Sequence, residues 1–180
     1  MAPGTPHSIG PDLIICEVQE YSDLTYRVYD FGRVDAHGKT RELHVEKALQ
    51  VTNFGKPPGG RVTSLLLPAS GASRSLLVAC RYFAAERWEC SAKCEIPIDA
   101  ERFELIVILE GAGTLAWADS AARYHRGECW MVPASQTYID VLPEAPTSLI
   151  RTYVPDIPAL RVELHQHGIS AAALAQVFFN

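Results

Sequence analysis

Proline and glycine interrupt this chain so often that every apolar segment in it is short. Residues 13–19, 61–68, 75–84, 87–94, 103–110, 113–118, 128–133 and 148–154 are rich in Val, Ile, Leu and aromatic side chains. Several alternate apolar with polar residues, which gives a strand one apolar face. Eight short strands at fairly even spacing predict an all-β, antiparallel barrel or sandwich. Gly111-Ala112-Gly113 and Asp119-Ser120-Ala121-Ala122 each sit between such runs and predict hairpin turns. Gly127 ends a further turn, before the strand carrying Trp130 and Met131. Helix is scarce. Residues 41–51 predict one, with Thr40 as its N-cap and Leu43 with Ala48 or Leu49 facing inward. A second short helix is predicted over 171–177, capped by Ser170. Gly55-Lys56-Pro57-Pro58-Gly59-Gly60 is a linker by composition.

A chain of 180 residues can build one domain with a sizeable core, with room for a small appendage. Its formal charge of −5 argues against nucleic acid or an anionic membrane as the main partner. No apolar run reaches the roughly 18 residues that span a bilayer. Met1-Ala2-Pro3-Gly4-Thr5-Pro6 lacks the basic and apolar regions of a signal peptide. With that start, an odd count of five cysteines reads as reduced thiols in a cytoplasmic protein. Cys90-Ser91-Ala92-Lys93-Cys94 has a spacing found in some zinc sites, but one pair without a second is weak support for a metal.

The first fifty residues hold the chemistry. His7-Ser8-Ile9-Gly10 is followed by Leu13-Ile14-Ile15-Cys16 and then by Glu17, Glu20, Tyr21, Asp23, Tyr26, Arg27, Tyr29 and Asp30. Arg33, Arg41, Glu42 and His44 come after. Polar, ionisable and aromatic residues in such a mixture line concave sites, where polar groups are held beside apolar walls. Two plainer readings stand alongside: Arg27 paired with Asp30 or Glu20 at a rim, and His7 merely solvated.

Strand, glycine turn, strand, glycine turn, then a strand ending at Pro133 is the one-dimensional pattern of a cupin jelly roll. A metal-binding cupin would show a His-x-His pair in this region. Only His125 occurs there, expected to be solvated, so residues 61–155 are expected to have structural rather than metal-binding duty. The stretch Ser22-Asp23-Leu24-Thr25-Tyr26-Arg27-Val28-Tyr29-Asp30-Phe31-Gly32-Arg33, with Arg41-Glu42-Leu43-His44-Val45-Glu46-Lys47-Ala48, closely resembles type I mannose-6-phosphate isomerases. Gly4-Thr5-Pro6-His7-Ser8-Ile9-Gly10 looks like an element of the bacterial members, and the spacing from His7 to Arg27 matches the family's.

The resemblance implies a C-terminal portion of such an enzyme. Residues 1–54 would be the remnant of a catalytic cupin barrel with a connecting helix, and residues 55–180 a C-terminal cupin-like barrel. It implies His7 as a zinc ligand and Arg27 as the catalytic arginine that stabilises charge on the sugar. Glu17, Tyr26 and Asp30 would orient them. The family takes its remaining zinc ligands and a substrate lysine from a barrel preceding His7, and those residues are not in this sequence. His37, His44, His165 and His167 are the histidines open to recruitment. His165 and His167 would share a face on a strand, against a plainer reading as a polar turn before a helix. His44 has a plainer reading as a packing or capping residue. The implied substrate is a sugar phosphate. Arg33, Lys39, Arg41 and Lys47 are possible phosphate anchors, among which spacing does not choose. A non-catalytic cupin module that binds a sugar phosphate or a partner chain is the alternative. A third reading has the strand before Arg27 as an exposed barrel edge driving self-association.

Overall fold

A computed structural model describes residues 3–22, 24–55 and 61–179 of the chain. Asp23 of the N-terminal segment and residues 56–60 of the expected linker lie outside them. Contacts divide the chain into two compact units, one of residues 1–17 and 21–61, the other of residues 18–20 and 62–180.

The larger unit is a two-sheet jelly roll. Its strands are β1 (Leu65–Leu67), β2 (Ala72–Ala79), β3 (Ala84–Cys90), β4 (Cys94–Pro97), β5 (Glu104–Glu110), β6 (Ala112–Trp117), β7 (Ser120–His125), β8 (Cys129–Val132), β9 (Tyr138–Pro143) and β10 (Thr147–Tyr153). The order β1-β2-β3-β10-β5-β8 makes a six-stranded sheet, and β4-β9-β6-β7 a four-stranded one. Strand pairing is antiparallel throughout both sheets. Alternation drives the stacking. Trp88 and Cys90 on β3, Ile106 and Ile108 on β5, and Leu149 on β10 meet Ile96, Leu115, Tyr124 and Val141 from the other sheet. Burying each large aliphatic side chain contributes about 1.5–3 kcal/mol.

A second core lies under two helices, α2 (Ile157–Gln166) and α3 (Ala171–Leu174). There Leu76, Ala79 and Tyr153 pack with Leu160, Leu164, Leu174, Val177 and Phe178. Asp156 caps α2 by accepting from the Ala159 amide, with a proline in the first turn where its missing N–H costs nothing. Ser170 caps α3 as expected. That helix stops at Leu174 rather than 177 because Phe178 forms a parallel bridge with Ala79, which draws the chain into an extended path.

The smaller unit contains α1 (Val45–Val51), and among its described residues only Ala48 is buried. Helix 41–51 therefore begins later than the pattern predicts. Its N-cap is His44, not Thr40, because Thr40 is held in a bridge with Val34. Ala48 does face inward, while Leu43 and Leu49 are exposed. Gly4 sits at φ +74° against the end of α1, where a Cβ would stand 2.5 Å from the Val51 carbonyl oxygen, and its own carbonyl accepts from the Asn53 amide.

Several strand expectations need correction. Residues 13–19 join no sheet, so the exposed-edge reading before Arg27 has no strand to rest on. Leu13 and Ile14 are exposed, and an apolar run makes a strand only where a ladder receives it. Run 75–84 spans a hairpin at Cys80–Phe83, and run 87–94 spans the passage from β3 to β4. β4, β7 and β9 were not foreseen as separate strands. Gly111 is not a hairpin turn: β5 and β6 lie in different sheets, and the chain crosses between them there. Its φ is +91°, and a Cβ would stand 2.5 Å from Thr147 Oγ1. The β6–β7 hairpin is real, but Ser120 already pairs with Trp117, so its turn is Ala118-Asp119. Among the described residues no helix is long and apolar enough to cross a membrane.

Candidate functional site

Arg27 is held by the start of α1. Its amide donates to His44 Nδ1 at 3.2 Å, and its carbonyl accepts from the His44 amide at 2.7 Å. The guanidinium donates to the Glu42 carbonyl at 3.4 Å and lies 3.9 Å from Asp30 Oδ1. The Arg27–Asp30 pairing is thus present, at the long end of ion-pair contact. Arg41 binds the same carboxylate more closely, with Nε to Oδ2 at 2.7 Å and Nη2 on Oδ1. The hydrogen bond from Arg41 and the charges of Arg41, Arg27 and Arg33 outweigh desolvation and hold the Asp30 carboxyl below the usual carboxylate range. Arg41 and Arg27 thus contact one carboxylate, and the charge of Arg33 adds to the positive field on it. Arg33 lies over the Phe31 ring at 5.8 Å, and Tyr26 meets the His44 ring edge-on at 6.2 Å.

His7 is exposed, and its Nδ1 lies 3.0 Å from the Thr5 carbonyl. Among the described residues no hydrogen bond or ion pair joins His7 to Arg27, or Glu17 to either. His44 is occupied with the Arg27 backbone, and the His37 amide bonds to Asp35 Oδ1. His165 lies in the last turn of α2 and His167 is its C-cap, so the shared strand face is absent. Side chains two apart on a helix diverge. Among the described residues no three His, Cys, Asp or Glu side chains gather closely enough to hold a metal. A zinc site with three protein ligands does not fit the described residues. His125 is exposed beside Glu128, at 3.4 Å.

The barrel unit holds a polar centre that the strand reading missed. Glu86 and Glu104 are fully buried, and Arg151 nearly so. Arg151 forks onto Glu104 at 2.6 and 2.8 Å, donates to the Pro97 carbonyl at 2.7 Å and reaches Glu86 at 3.4 Å. Glu86 also accepts from Arg74, the Trp88 indole and the Tyr153 hydroxyl. Burial works against the Glu86 charge, but the Arg74 hydrogen bonds and the Arg151 charge overcome it and keep its pKa below the ordinary 4.5. Burial raises the Tyr153 phenol and keeps it a donor. A cavity of about 470 Å³ opens over this network, bordered by Arg102, Arg151, Tyr153 and the α2 residues Ala159, Leu160 and Glu163. The signal was present in the sequence. Glu86 has the parity of Trp88 and Cys90, Glu104 that of Ile106 and Ile108, and Arg151 that of Leu149 and Tyr153.

No protein-family model matches the chain. It is 33% identical over 130 residues to the mannose-6-phosphate isomerase of Streptococcus mutans, covering 72% of this chain and 40% of that protein. Mannose-6-phosphate isomerase ManA of Bacillus subtilis is 32% identical over 130 residues, with 72% and 41% covered. The crystal structure of the Bacillus subtilis mannose 6-phosphate isomerase superposes with a TM-score of 0.64 at 27% identity, over 73% of this chain and 40% of that one. The chain spans about 40% of the length of these curated relatives. Over that span, the chain is a cupin-fold relative of the mannose-6-phosphate isomerases.

Proposed function

We propose that the chain carries part of the active site of a zinc-dependent aldose–ketose isomerase that interconverts mannose 6-phosphate and fructose 6-phosphate. In this reading residues 1–54 are the remnant of a catalytic barrel with its connecting helix, and residues 55–180 are the C-terminal cupin-like barrel. The observation that supports it best is the arginine cluster around Asp30, in a chain 33% identical to an isomerase of that name.

The exchange removes a proton from the carbon beside a carbonyl, so negative charge builds on the oxygens of an enediolate. Arg27 would donate to those oxygens, an interaction stronger in the transition state than in the ground state. Its backbone is clamped twice by His44 and its guanidinium is flanked by Glu42 and Asp30, so it is oriented before substrate arrives. Arg41 is committed to Asp30, and of the remaining candidates Arg33, Lys39 and Lys47 it is Arg33 that shares the charge field of Asp30 with Arg27, so Arg33 is the anchor proposed for the phosphate. Zinc enters this reading only through the family resemblance, with His7 as one ligand. The described residues do not complete its ligand set, and no step is assigned to the ion.

The second reading is a non-catalytic module that binds a sugar phosphate or a partner chain. The filled interior of the barrel, with Trp88, Ile106, Leu115 and Leu149 in its core, favours it. A coupled assay from mannose 6-phosphate to fructose 6-phosphate separates the two, run with and without added zinc. Turnover that Arg27→Ala abolishes, with the circular dichroism spectrum unchanged, supports the isomerase. Turnover unchanged in Arg27→Ala removes that residue from the mechanism. No turnover with zinc present favours the module.

A further inference from the structure

Cys90 is the last residue of β3 and Cys94 the first of β4, so one thiol belongs to each sheet. Between them is only the turn Ser91-Ala92-Lys93. Cys90 is opposite Ala72 and Thr147 in the six-stranded sheet, and Cys94 is opposite Val141 in the four-stranded sheet. Each residue is 2% exposed, and their sulfurs are 2.8 Å apart. Ladder pairing on both sides fixes the two backbones, so the sulfurs meet because the fold holds them together. Two thiols alone do not close a tetrahedral metal site, and no third donor gathers with them among the described residues. The chemistry open to two sulfurs in contact is a bond to each other.

We propose that Cys90 and Cys94 are an oxidisable pair whose reversible disulfide bonds one sheet of the barrel to the other. The oxidant is a small peroxide. A cavity of about 220 Å³ between Glu89, Glu110, Pro146 and Ser148 borders Cys90 and admits a molecule of that size. One thiolate attacks a peroxide oxygen and the O–O bond breaks. The sulfur becomes a sulfenic acid, and the departing hydroxide takes up the released proton as water. The neighbouring sulfur then attacks the sulfenic sulfur. The S–O bond breaks, the S–S bond forms, and the second proton leaves with the hydroxyl as a second water. Two thiols thus lose two electrons and two protons to one peroxide. Either thiol can donate to the other at 2.8 Å, and either thiolate can make the first attack.

Trypsin provides the readout, because Lys93 separates the two cysteines. The full chain is treated with hydrogen peroxide, quenched, denatured, alkylated, digested and weighed. Peptides 88–93 and 94–102 are expected to stay joined until dithiothreitol releases them. The oxidised protein is expected to melt about 5 °C higher than the reduced one, a modest rise because the closed loop is short. In Cys94→Ser the link is lost and Cys90 is alkylated. Full alkylation of both cysteines after peroxide, while exposed Cys129 is oxidised, would overturn the proposal. So would a link from either to Cys16, Cys80 or Cys129, or a metal ion retained by the pair in native mass spectrometry.

Discussion

Replacing Arg151 with methionine should unfold the barrel far more easily than an ordinary core substitution of that size. The guanidinium is 6% exposed and makes its fork to Glu104 and its bond to the Pro97 carbonyl in that setting. Without it, Glu104, with 0% exposure, keeps only the Asp99 amide at 3.5 Å. Glu86 is less affected, because Arg74, Trp88 and Tyr153 still donate to it. Breaking a buried pair from one side costs about 3–5 kcal/mol, most of it the stranded charge. For a chain of this length that lowers the melting temperature by roughly 10 °C. The same reasoning makes Arg151→Met/Glu104→Met milder than Arg151→Met alone, because the second change removes the stranded carboxylate. Urea unfolding followed by tryptophan fluorescence reads both, since Trp88 bonds to Glu86 within the network. A loss below about 1 kcal/mol for Arg151→Met, or a double variant as weak as the sum of its singles, would refute the stranded-charge argument.

Acid should act through Glu86. The folded state prefers its charged form, so the stability it contributes is present above its ordinary 4.5 and is lost as pH falls below that value. Urea midpoints should hold near neutrality and drop on acidification, with a shallower acid limb in Glu86→Gln; a midpoint that rises on acidification contradicts this sign. The crossing at Gly111 separates strain from crowding. Gly111→Ala meets Thr147 Oγ1 and the Pro146 carbonyl at φ +91° and should cost about 2–4 kcal/mol, whereas Gly127→Ala at φ +88° has nothing within 4 Å and should cost about 1–2 kcal/mol. Equal losses in a melting comparison would show that the crowding at Gly111 relaxes freely.

The barrel was legible because its strands advertise themselves: alternation over 103–110 and 148–154 placed β5 and β10 within a residue or so of their ends. What alternation does not carry is which sheet a strand joins. Gly111 therefore read as a hairpin, although it is the point where the chain changes sheets. α2 is masked in the sequence by Pro158, a residue that breaks a helix interior, and the Asp156 cap shows that it sits in a first turn instead. The Glu86–Arg151–Glu104 centre is hard to see in the sequence because charged residues in an alternating strand ordinarily belong to its solvent-facing half. Their parity with Trp88, Ile106 and Leu149 places them inside. In the smaller unit, the resemblance singled out Arg27, and the His44 and Asp30 contacts show how that residue is positioned. Residues 13–19 have the composition of a strand, but a strand also requires a neighbour.

The most direct test of the arginine cluster as a sugar-phosphate site is a calorimetric titration of mannose 6-phosphate into the chain, with unphosphorylated mannose as control. Binding is predicted to require the phosphate and to weaken at least about tenfold in Arg33→Ala, the loss of one charge-assisted hydrogen bond. Equal affinity in the wild type and Arg33→Ala, or equal heats from mannose and its phosphate, would contradict it.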